Sequence, residues 1–473
     1  MAEANEKIVE LHQLFMESAG VCTDTRKIVK DSLFFALKGA SFNGNDFALQ
    51  ALEQGAKYAV VDNPALLERA GSSNALILVD DVLSTLQALA RYHRLRFHIP
   101  VLALTGTNGK TTTKELIAAV LRKRYNVLAT EGNLNNHIGV PLTLLKLDKS
   151  VQAAVIEMGA SAPGEIKRLV EIVCPTFGLI TSIGKAHLMG FGSLEGVMQT
   201  KGELLDDLLA HRRIAFINVD NPYIAQMLAK RQELHYVPYG VVNDRAEILP
   251  CTLKNPTLRL SIPNPLYGYS EKTMLYPRPT ESQTKNKRIT VESRLIGSYN
   301  ADNVLAALCV GTYFGIPLSE AADAVREYRP TNNRSQMVKG KNCTLIVDAY
   351  NANPTSMRAS IENFAQMQFK KKILLLGDML ELGESSLEEH KEIIKLAISI
   401  NPEKIFLVGK EFEKAVASLA GEGCDKCADI SHFQNVEGCI EALEKDSLTP
   451  DSTLLVKGSH GIHLEKILNS SLV

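Results

Sequence analysis

Gly106, Thr107, Asn108, Gly109, Lys110, Thr111 and Thr112 follow the apolar run Val101 to Leu104 and precede a helix-patterned segment, Lys114 to Arg124. Glycines at this spacing let successive backbone N–H groups turn onto phosphate oxygens, and the start of a helix adds its partial positive charge. Lys110 is placed to reach further phosphate oxygens and the Thr111 hydroxyl to ligate Mg²⁺. The chemistry indicated is the handling of a nucleoside triphosphate. The common phosphate-loop pattern asks for a glycine at position 104, where this chain has Leu104; its first glycine is Gly106, so the loop is a shortened variant.

Other polar residues sit where strands end. Glu157 closes the strand-patterned run Ala153 to Met158 and precedes Gly159. Strand carboxyl ends line the ligand crevice of a parallel sheet, so this carboxylate is placed to hold Mg²⁺ opposite the loop; a solvated strand-end acid is the plainer reading. His187 follows Gly184-Lys185-Ala186 after the strand Phe177 to Ser182, a position where a histidine is ordinarily a loop residue. Lys201, in Thr200-Lys201-Gly202-Glu203, is read at the start of a helix, and position alone does not single it out. Asp348, Tyr350, Asn351, Asn353 and Pro354 end one later strand, and Gly377-Asp378-Met379 ends the next. Together they make either a crevice for a polar substrate or, at Asn-Ala-Asn-Pro, an Asx turn. Cys424 and Cys427 form a C-x-x-C with His432 and Cys439 downstream, which could build a zinc or redox site, but a single pair lacks the second pair that a structural zinc wants.

These positions need scaffolding, and β-rich runs alternating with helical patterns supply it as parallel sheets flanked by helices. At 473 residues the chain is too long for one core. Three blocks emerge. Residues 1–99 carry strand candidates Ser32 to Leu37, Tyr58 to Asp62 and Leu76 to Val79, and a helix over Leu83 to Phe97. Residues 100–328 carry Val101 to Thr105, Asn126 to Thr130, Ala153 to Met158, Phe177 to Ser182 and Ile214 to Val219. Cys251 to Lys287 then reads as loops and short antiparallel strands, and Leu295 to Tyr313 as a helix. Residues 329–473 alternate like a Rossmann fold, with Thr344 to Asp348, Lys372 to Leu376, Lys404 to Val408 and Thr453 to Val456 as strands, but have no G-x-G-x-x-G to indicate a dinucleotide. The fold class is α/β in three domains: a small N-terminal α/β domain, a central P-loop ATPase-type domain with a parallel or mixed sheet, and a C-terminal Rossmann-like domain.

Fifty-two basic against fifty-three acidic side chains give a formal charge of −1, which points to neither nucleic acid nor membrane as partner. No run approaches the eighteen or so apolar residues that span a bilayer. Eight scattered cysteines do not form a secreted disulfide scaffold, and a cytoplasmic location is expected.

The chain resembles the bacterial Mur ligases, ATP-dependent amide-bond formers of peptidoglycan synthesis, through Gly106 to Thr111, Glu157, His187, Lys201, Asn300 and Asp348 in order. The strings Gly132 to Pro141, Tyr350 to Pro354 and Gly377 to Gly383 resemble the members that join D-alanyl-D-alanine to UDP-N-acetylmuramoyl-tripeptide. The resemblance implies ATP and Mg²⁺ as cofactors, an acyl-phosphate intermediate, and a monomer closing its C-terminal domain over the site. It implies Lys110, Glu157, His187 and Lys201 as catalytic residues, with Mg²⁺ on Thr111, Glu157, His187 and a carbamylated Lys201. Asn300 and Asn303 would contact adenine, and Arg334 and Asp348 the nucleotide. Thr25, Arg26, Lys38 and Asn43 would meet the nucleotide-sugar end, and Asn135, Asn136, Tyr350, Asn351 and Asn353 the peptide substrates. Tyr299, Ala349 and His460 depart from the residues common at those places, His, Asp and Arg, so no role is carried over to Tyr299 or His460. The neighbouring ligase that adds the third residue, and folylpolyglutamate synthase, share the short loop; a nucleotide-operated switch protein is the rival from another class.

Overall fold

A computed structural model describes residues 2–70, 75–252, 255–264, 288–330, 334–446 and 448–472. The chain divides into two compact units: Met1–Leu104 with Tyr125–Ala160 and Gly164–Gly178, and Thr105–Arg124 with Ser161–Pro163 and Leu179–Val473.

The N-terminal sheet is parallel, in the order β1 (Val21–Cys22), β2 (Leu33–Phe35), β3 (Tyr58–Val61) and β4 (Leu76–Leu78). Parallel strands covered on both faces read as unbroken apolar runs, and Leu33, Phe34 and Phe35 are all buried. The helix Val82–Arg94 starts at Asp81, whose carboxylate accepts from the Ser84 N–H at 2.7 Å. At two residues, β1 is too short to show a period, and the sequence reading passed over it.

The central sheet comprises β5 (Val101–Thr105), β6 (Val127–Ala129), β7 (Ala153–Glu157), β8 (Phe177–Ile180), β9 (Ile214–Asn218) and β10 (His235–Tyr239), in the order β10-β9-β8-β5-β7-β6. Strand order reverses about β5, whose carboxyl end leads directly into the phosphate loop. β10 contains Pro238, which only an edge strand accommodates, because its missing N–H leaves no ladder bond unmade. Two helix starts differ from expectation. The helix after the loop is Lys110–Leu121, four residues ahead of Lys114. Lys201 is not at a helix start: Ser193 caps the helix Leu194–Ala210 by accepting from the Gly196 N–H at 3.1 Å, so Lys201 lies about two turns inside, with its side chain buried. The segment read as a helix from Leu295 begins instead with a tight turn, Ser298–Asn300, and becomes α-helical over Ala301–Tyr313.

Short antiparallel strands do follow: β11 (Glu247–Ile248), β12 (Arg259–Pro263) and β13 (Arg288–Glu292) form one sheet, while residues 253–254 and 265–287 of the stretch so read lie outside the described residues.

The last sheet comprises β14 (Gln336–Lys339), β15 (Thr344–Asp348), β16 (Lys371–Gly377), β17 (Lys404–Val408), β18 (Ser431–Phe433) and β19 (Ser452–Lys457), in the order β14-β15-β19-β16-β17-β18. All neighbours run parallel except β14, which is antiparallel to β15. β19, the final strand, is inserted between β15 and β16, with Asp348 in register with Lys457. Each face of this sheet carries its own apolar core. Met357, Phe364, Phe412 and Cys427 belong to one, and Val436, Cys439, Leu443 and Leu464 to the other. Cys439 therefore lies across the sheet from Cys427, against whose core Cys424 also packs, and His432 Nε2 is bonded to the Gly409 carbonyl at 2.9 Å. Among the described residues no helix is long and apolar enough to cross a membrane.

Candidate active site

The phosphate loop is pinned from outside at its two glycines. Gly106 has φ +148°, and a Cβ there would lie 2.1 Å from Thr181 Oγ1; Gly109 has φ +80°, and a Cβ would lie 2.5 Å from Asn303 Oδ1. No other residue type fits either place without moving a neighbour. Thr107 Oγ1 donates to the Gly184 carbonyl at 3.2 Å and accepts from its N–H at 3.1 Å. The Asn108 N–H donates to Ser182 Oγ at 3.0 Å, and Thr181 Oγ1 donates to the Asn108 carbonyl at 2.6 Å. Lys110 Nζ reaches back to the carbonyls of Gly106 and Thr107 at 2.8 and 3.2 Å, so the ammonium lies over the loop, and Thr111 and Thr112 are buried in the first turn behind it.

From this loop a relay of neutral side chains runs into the last sheet. Thr113 Oγ1 donates to Asn303 Oδ1 at 2.9 Å, and Asn303 Nδ2 to Asn300 Oδ1 at 2.9 Å. Asn300 Nδ2 donates to the Ile296 carbonyl at 2.8 Å and Ser335 Oγ at 3.3 Å. The Ser335 N–H donates to Asp348 Oδ1 at 3.3 Å, and Lys457 Nζ holds Asp348 Oδ2 at 2.6 Å. Tyr299 joins at Ser335 Oγ, 3.3 Å away, and burial raises its phenol far above the usual range. A second link is direct. Asn108 and Asn353 exchange side-chain amide bonds, at 2.8 Å onto Asn108 Oδ1 and 3.4 Å onto Asn353 Oδ1. Asn353 also caps the helix Pro354–Gln366, accepting from the Ser356 N–H at 2.9 Å while Ser356 Oγ accepts from its own N–H at 3.1 Å. The Asn353 side chain thus serves as a helix cap and as the partner of Asn108 at once.

His187 stands at φ +50° at the start of a short helix, Leu188–Phe191, and its Nδ1 is held by the carboxylate of Glu381, itself at φ +65°. Two non-glycine residues in the left-handed region, facing each other, form a strained pair of the kind that surrounding structure must impose. Burial lowers the His187 pKa, against the pull of Glu381, and the nearby charges of Lys110 and Lys201 lower it further. A carboxylate on Nδ1 fixes the orientation of the ring and of its Nε2. Lys201 Nζ lies 5.2 Å from the centre of the Phe191 ring. Lys185 pairs with Glu389 at 2.6 Å.

Arg334 and Tyr350 stack, with the guanidinium carbon 3.7 Å from the ring centre, and His460 stacks on Tyr350 with centroids 5.6 Å apart and planes 13° from parallel. Asn351 is exposed, and its carbonyl accepts from Lys457 at 3.3 Å. Asp378, read as part of this crevice, faces another way. Its two oxygens accept from the N–H groups of Glu411 and Phe412, both at 2.9 Å, capping the helix Lys410–Gly421. That is a structural duty.

In the other unit, Glu157 pairs in register with Leu104, two residues before Gly106 in the chain. It is buried, its N–H donates to Thr130 Oγ1 at 2.9 Å, and its Oε1 accepts from Asn135 Nδ2 at 2.8 Å. It is no solvated strand-end acid. Asn136 Oδ1 accepts from the N–H groups of Ile138 and Gly139, at 3.1 and 2.9 Å, and so caps the helix Gly139–Leu144. Thr25 and Arg26 lie in a tight turn capped by Asp24; Arg26 is exposed and grips Asp24 at 2.9 and 2.8 Å, which brings that carboxyl down to about 2. Lys38 pairs with Asp62 at 3.0 Å, and Asn43 Oδ1 accepts from Asn45 Nδ2, which also reaches Asp62, at 2.9 and 2.7 Å. The sequence reading missed Thr181, Ser335, Glu381 and Lys457. Glu381 and Lys457 lay in strings the resemblance rests on or compares; the others are common residues whose placement depends on strands remote in sequence.

The chain matches the Mur ligase family catalytic domain over residues 17–94, the Mur ligase middle domain over 104–311 and the Mur ligase glutamate ligase domain over 333–460. A UDP-N-acetylmuramoyl-tripeptide--D-alanyl-D-alanine ligase of Bacillus subtilis is 33% identical over 454 residues, covering 95% of this chain and 92% of its own length. The ligase of the same name from Haemophilus influenzae is 34% identical over 466 residues, with coverages of 95% and 92%. Among solved structures, MurF from Acinetobacter baumannii has a TM-score of 0.81 at 27% identity, covering 99% of this chain and 98% of its own. With its phosphate loop, three α/β domains and likeness along its whole length to these enzymes, the chain belongs to the Mur ligase family.

Proposed function

We propose that this ligase spends ATP to join D-alanyl-D-alanine to UDP-N-acetylmuramoyl-tripeptide, making a cell-wall precursor in the cytoplasm as a monomer. The reaction runs in two transfers. The terminal carboxylate of the tripeptide attacks the γ-phosphorus of ATP and ADP leaves; the neutral amine of D-alanyl-D-alanine then attacks the acyl carbon, phosphate leaves, and the nitrogen gives up one proton to solvent as the amide forms. One observation carries the reading: the Asn108–Asn353 amide pair joins the loop that would hold the phosphates to the Tyr350–Pro354 string that would meet the peptide. A nucleotide switch needs no such junction between a phosphate loop and a second polar strand end.

Phosphoryl transfer depends on positioning and charge neutralisation. Lys110, swung off its loop carbonyls, supplies one cation to the transferred group. Gly106 to Thr112 bind the phosphates, Asn300 and Asn303 the adenine, and Arg334 and Asp348 the rest of the nucleotide. Asn135, Asn136, Tyr350, Asn351 and Asn353 orient the peptides, and Thr25, Arg26, Lys38 and Asn43 the nucleotide-sugar end. Boundaries at 1–99, 100–328 and 329–473 separate these tasks. The hydroxyl of Thr111, the carboxylate of Glu157 and Nε2 of His187 are a donor set suited to Mg²⁺, and Lys201, if carbamylated, would add an anionic oxygen; the ion when bound neutralises phosphate charge. Glu157 already accepts a hydrogen bond, and His187 is already oriented by Glu381, so these donors are prepared rather than random.

The test is phosphate release measured with ATP, the UDP-tripeptide and a panel of amines. Release requiring both the tripeptide and D-alanyl-D-alanine supports the reading; release with ATP alone, or with another amine in preference, overturns it.

A further inference from the structure

The turns that follow β19 gather a group of metal-type ligands to which the proposed ligase reaction assigns no role. His460, His463 and Glu465 each present one ligand atom, and these atoms all lie within 4.8 Å of one another. We propose that this turn is a binding site for a zinc-class divalent ion, held by the two imidazoles and the carboxylate.

Four observations support it. His463 joins two tight turns, His460–Ile462 and Leu464–Asn469, with φ +60° and ψ +35°. A non-glycine residue in that region is held against a steric preference, and here it directs the imidazole back at His460, whose ring it meets edge-on at a centroid distance of 5.8 Å. Glu465 Oε1 lies 3.2 Å from His463 Nδ1, which fixes the carboxylate beside the ring. Glu465 Oε2 is enclosed and has no hydrogen-bond partner among the described residues. An enclosed carboxylate oxygen without a donor calls for an explanation such as a bound ion. Finally, His460 is braced on its other side by the Tyr350 ring, so ordering it costs less than for a freely rotating surface histidine.

The donor set decides the ion. Two imidazole nitrogens and one carboxylate oxygen, with a place left for water, suit Zn²⁺ and Co²⁺, whereas Mg²⁺ prefers oxygen ligands and keeps its waters. Ligands on a tetrahedral ion with metal–nitrogen bonds of about 2.0–2.1 Å stand roughly 3.3 Å apart, so the group needs only side-chain rotations to close. Closure would lock His460 against Tyr350.

The experiment uses the full chain stripped with a chelator and then titrated with Co²⁺ in excess Mg²⁺. The expected result is about one equivalent bound with visible bands of nitrogen and oxygen ligation, displaced by Zn²⁺, and without the intense near-ultraviolet band of thiolate ligation. His460→Asn and Glu465→Gln should each weaken binding by about tenfold or more, and His460→Asn with His463→Asn should abolish it, at unchanged circular dichroism. If His463→Asn disturbs the turn, His460→Asn alone carries the test, since that ring is exposed. No Co²⁺ binding at micromolar concentration, a thiolate spectrum, or the same affinity in His460→Asn overturns the proposal. Metal binding is the readout throughout, so failure here leaves the ligase reading untouched, and the reverse holds too.

Discussion

Asp348→Asn tests whether the centre of the last sheet is held by a buried ion pair. Lys457 Nζ and Asp348 Oδ2 are 2.6 Å apart, with side-chain exposures of 2% and 16%. At an effective dielectric constant of about 20, unit charges at that distance attract by roughly 6 kcal/mol, most of which offsets the loss of hydration on burial. The net pair therefore contributes little, but removing one partner strands the other. Asp348→Asn keeps the shape and leaves Lys457 with a neutral amide and the Asn351 carbonyl, for an expected loss of about 3–5 kcal/mol. Lys457→Met strands a carboxylate that still accepts from the Ser335 N–H and Ser360 Oγ and touches water, so the loss should be smaller, about 2–3 kcal/mol. The double variant removes both charges and should be more stable than Asp348→Asn alone, giving a coupling of about 2 kcal/mol or more. Urea unfolding followed by far-ultraviolet circular dichroism and tyrosine fluorescence serves, since the chain has no tryptophan. Strictly additive losses, or less than about 1 kcal/mol for Asp348→Asn, would refute the reasoning.

Three further outcomes follow from single contacts. Asn353→Ser keeps a competent helix cap but cannot pair with Asn108, so it should leave the urea midpoint nearly unchanged and lower kcat/KM, whereas Asn353→Ala should also lose about 1 kcal/mol of stability; full activity in Asn353→Ser would separate the amide pair from function. Glu381→Gln should lower kcat roughly tenfold or more with little change in KM for ATP, because a neutral amide holds the His187 ring less firmly, and a wild-type kcat would remove that role. In the N-terminal unit, His12 Nε2 lies 3.0 Å from His93 Nδ1, and burial, with His93 and Arg96 nearby, brings the His12 pKa down to about 4. The unfolded chain, with a pKa near 6.5, takes the proton first, so stability is complete above about pH 6.5 and falls as pH drops toward 4, by about 3 kcal/mol in all. His12→Gln should flatten that decline in urea titrations between pH 7.5 and 4.5, and parallel curves for the two proteins would count against it.

The parts legible beforehand were those whose signal is local. The loop at Gly106–Thr112 is a run of seven residues between a strand and a helix, and β5, β7, β15 and β16 announce themselves by unbroken apolar runs. What stayed hidden depends on other parts of the chain. The polar stretch around Lys201 reads as a helix start, but Ser193 caps the helix about two turns earlier and it runs on through Gly202. Asp378 was read into the crevice because it ends β16, yet the first N–H groups of the helix Lys410–Gly421 claim both its oxygens. The edge strands β1, β10, β14 and β18 are short, polar or proline-bearing, as edges tend to be, and leave little periodic signal. Lys457 ends an apolar strand, and its partner Asp348 is apparent only from the insertion of β19 beside β15.

The contacts around the loop divide by how hard they are to break. Asp348–Lys457 is buried and ionic, and parting it would leave a charge stranded inside the sheet. The links that reach the phosphate loop are instead neutral amide and hydroxyl bonds, Thr113 to Asn303 to Asn300 and Asn108 to Asn353, together with Lys110 lying on the loop's own carbonyls. A neutral hydrogen bond contributes only about 1 kcal/mol net, because its groups exchange it for another partner at little cost. On the proposed function, phosphate oxygens would replace the carbonyls under Lys110, and a peptide would replace Asn108 on Asn353, without disturbing the anchored sheet behind them. A site that must release its own contacts in each turnover is best built from bonds of this kind, set against a fixed ionic backing.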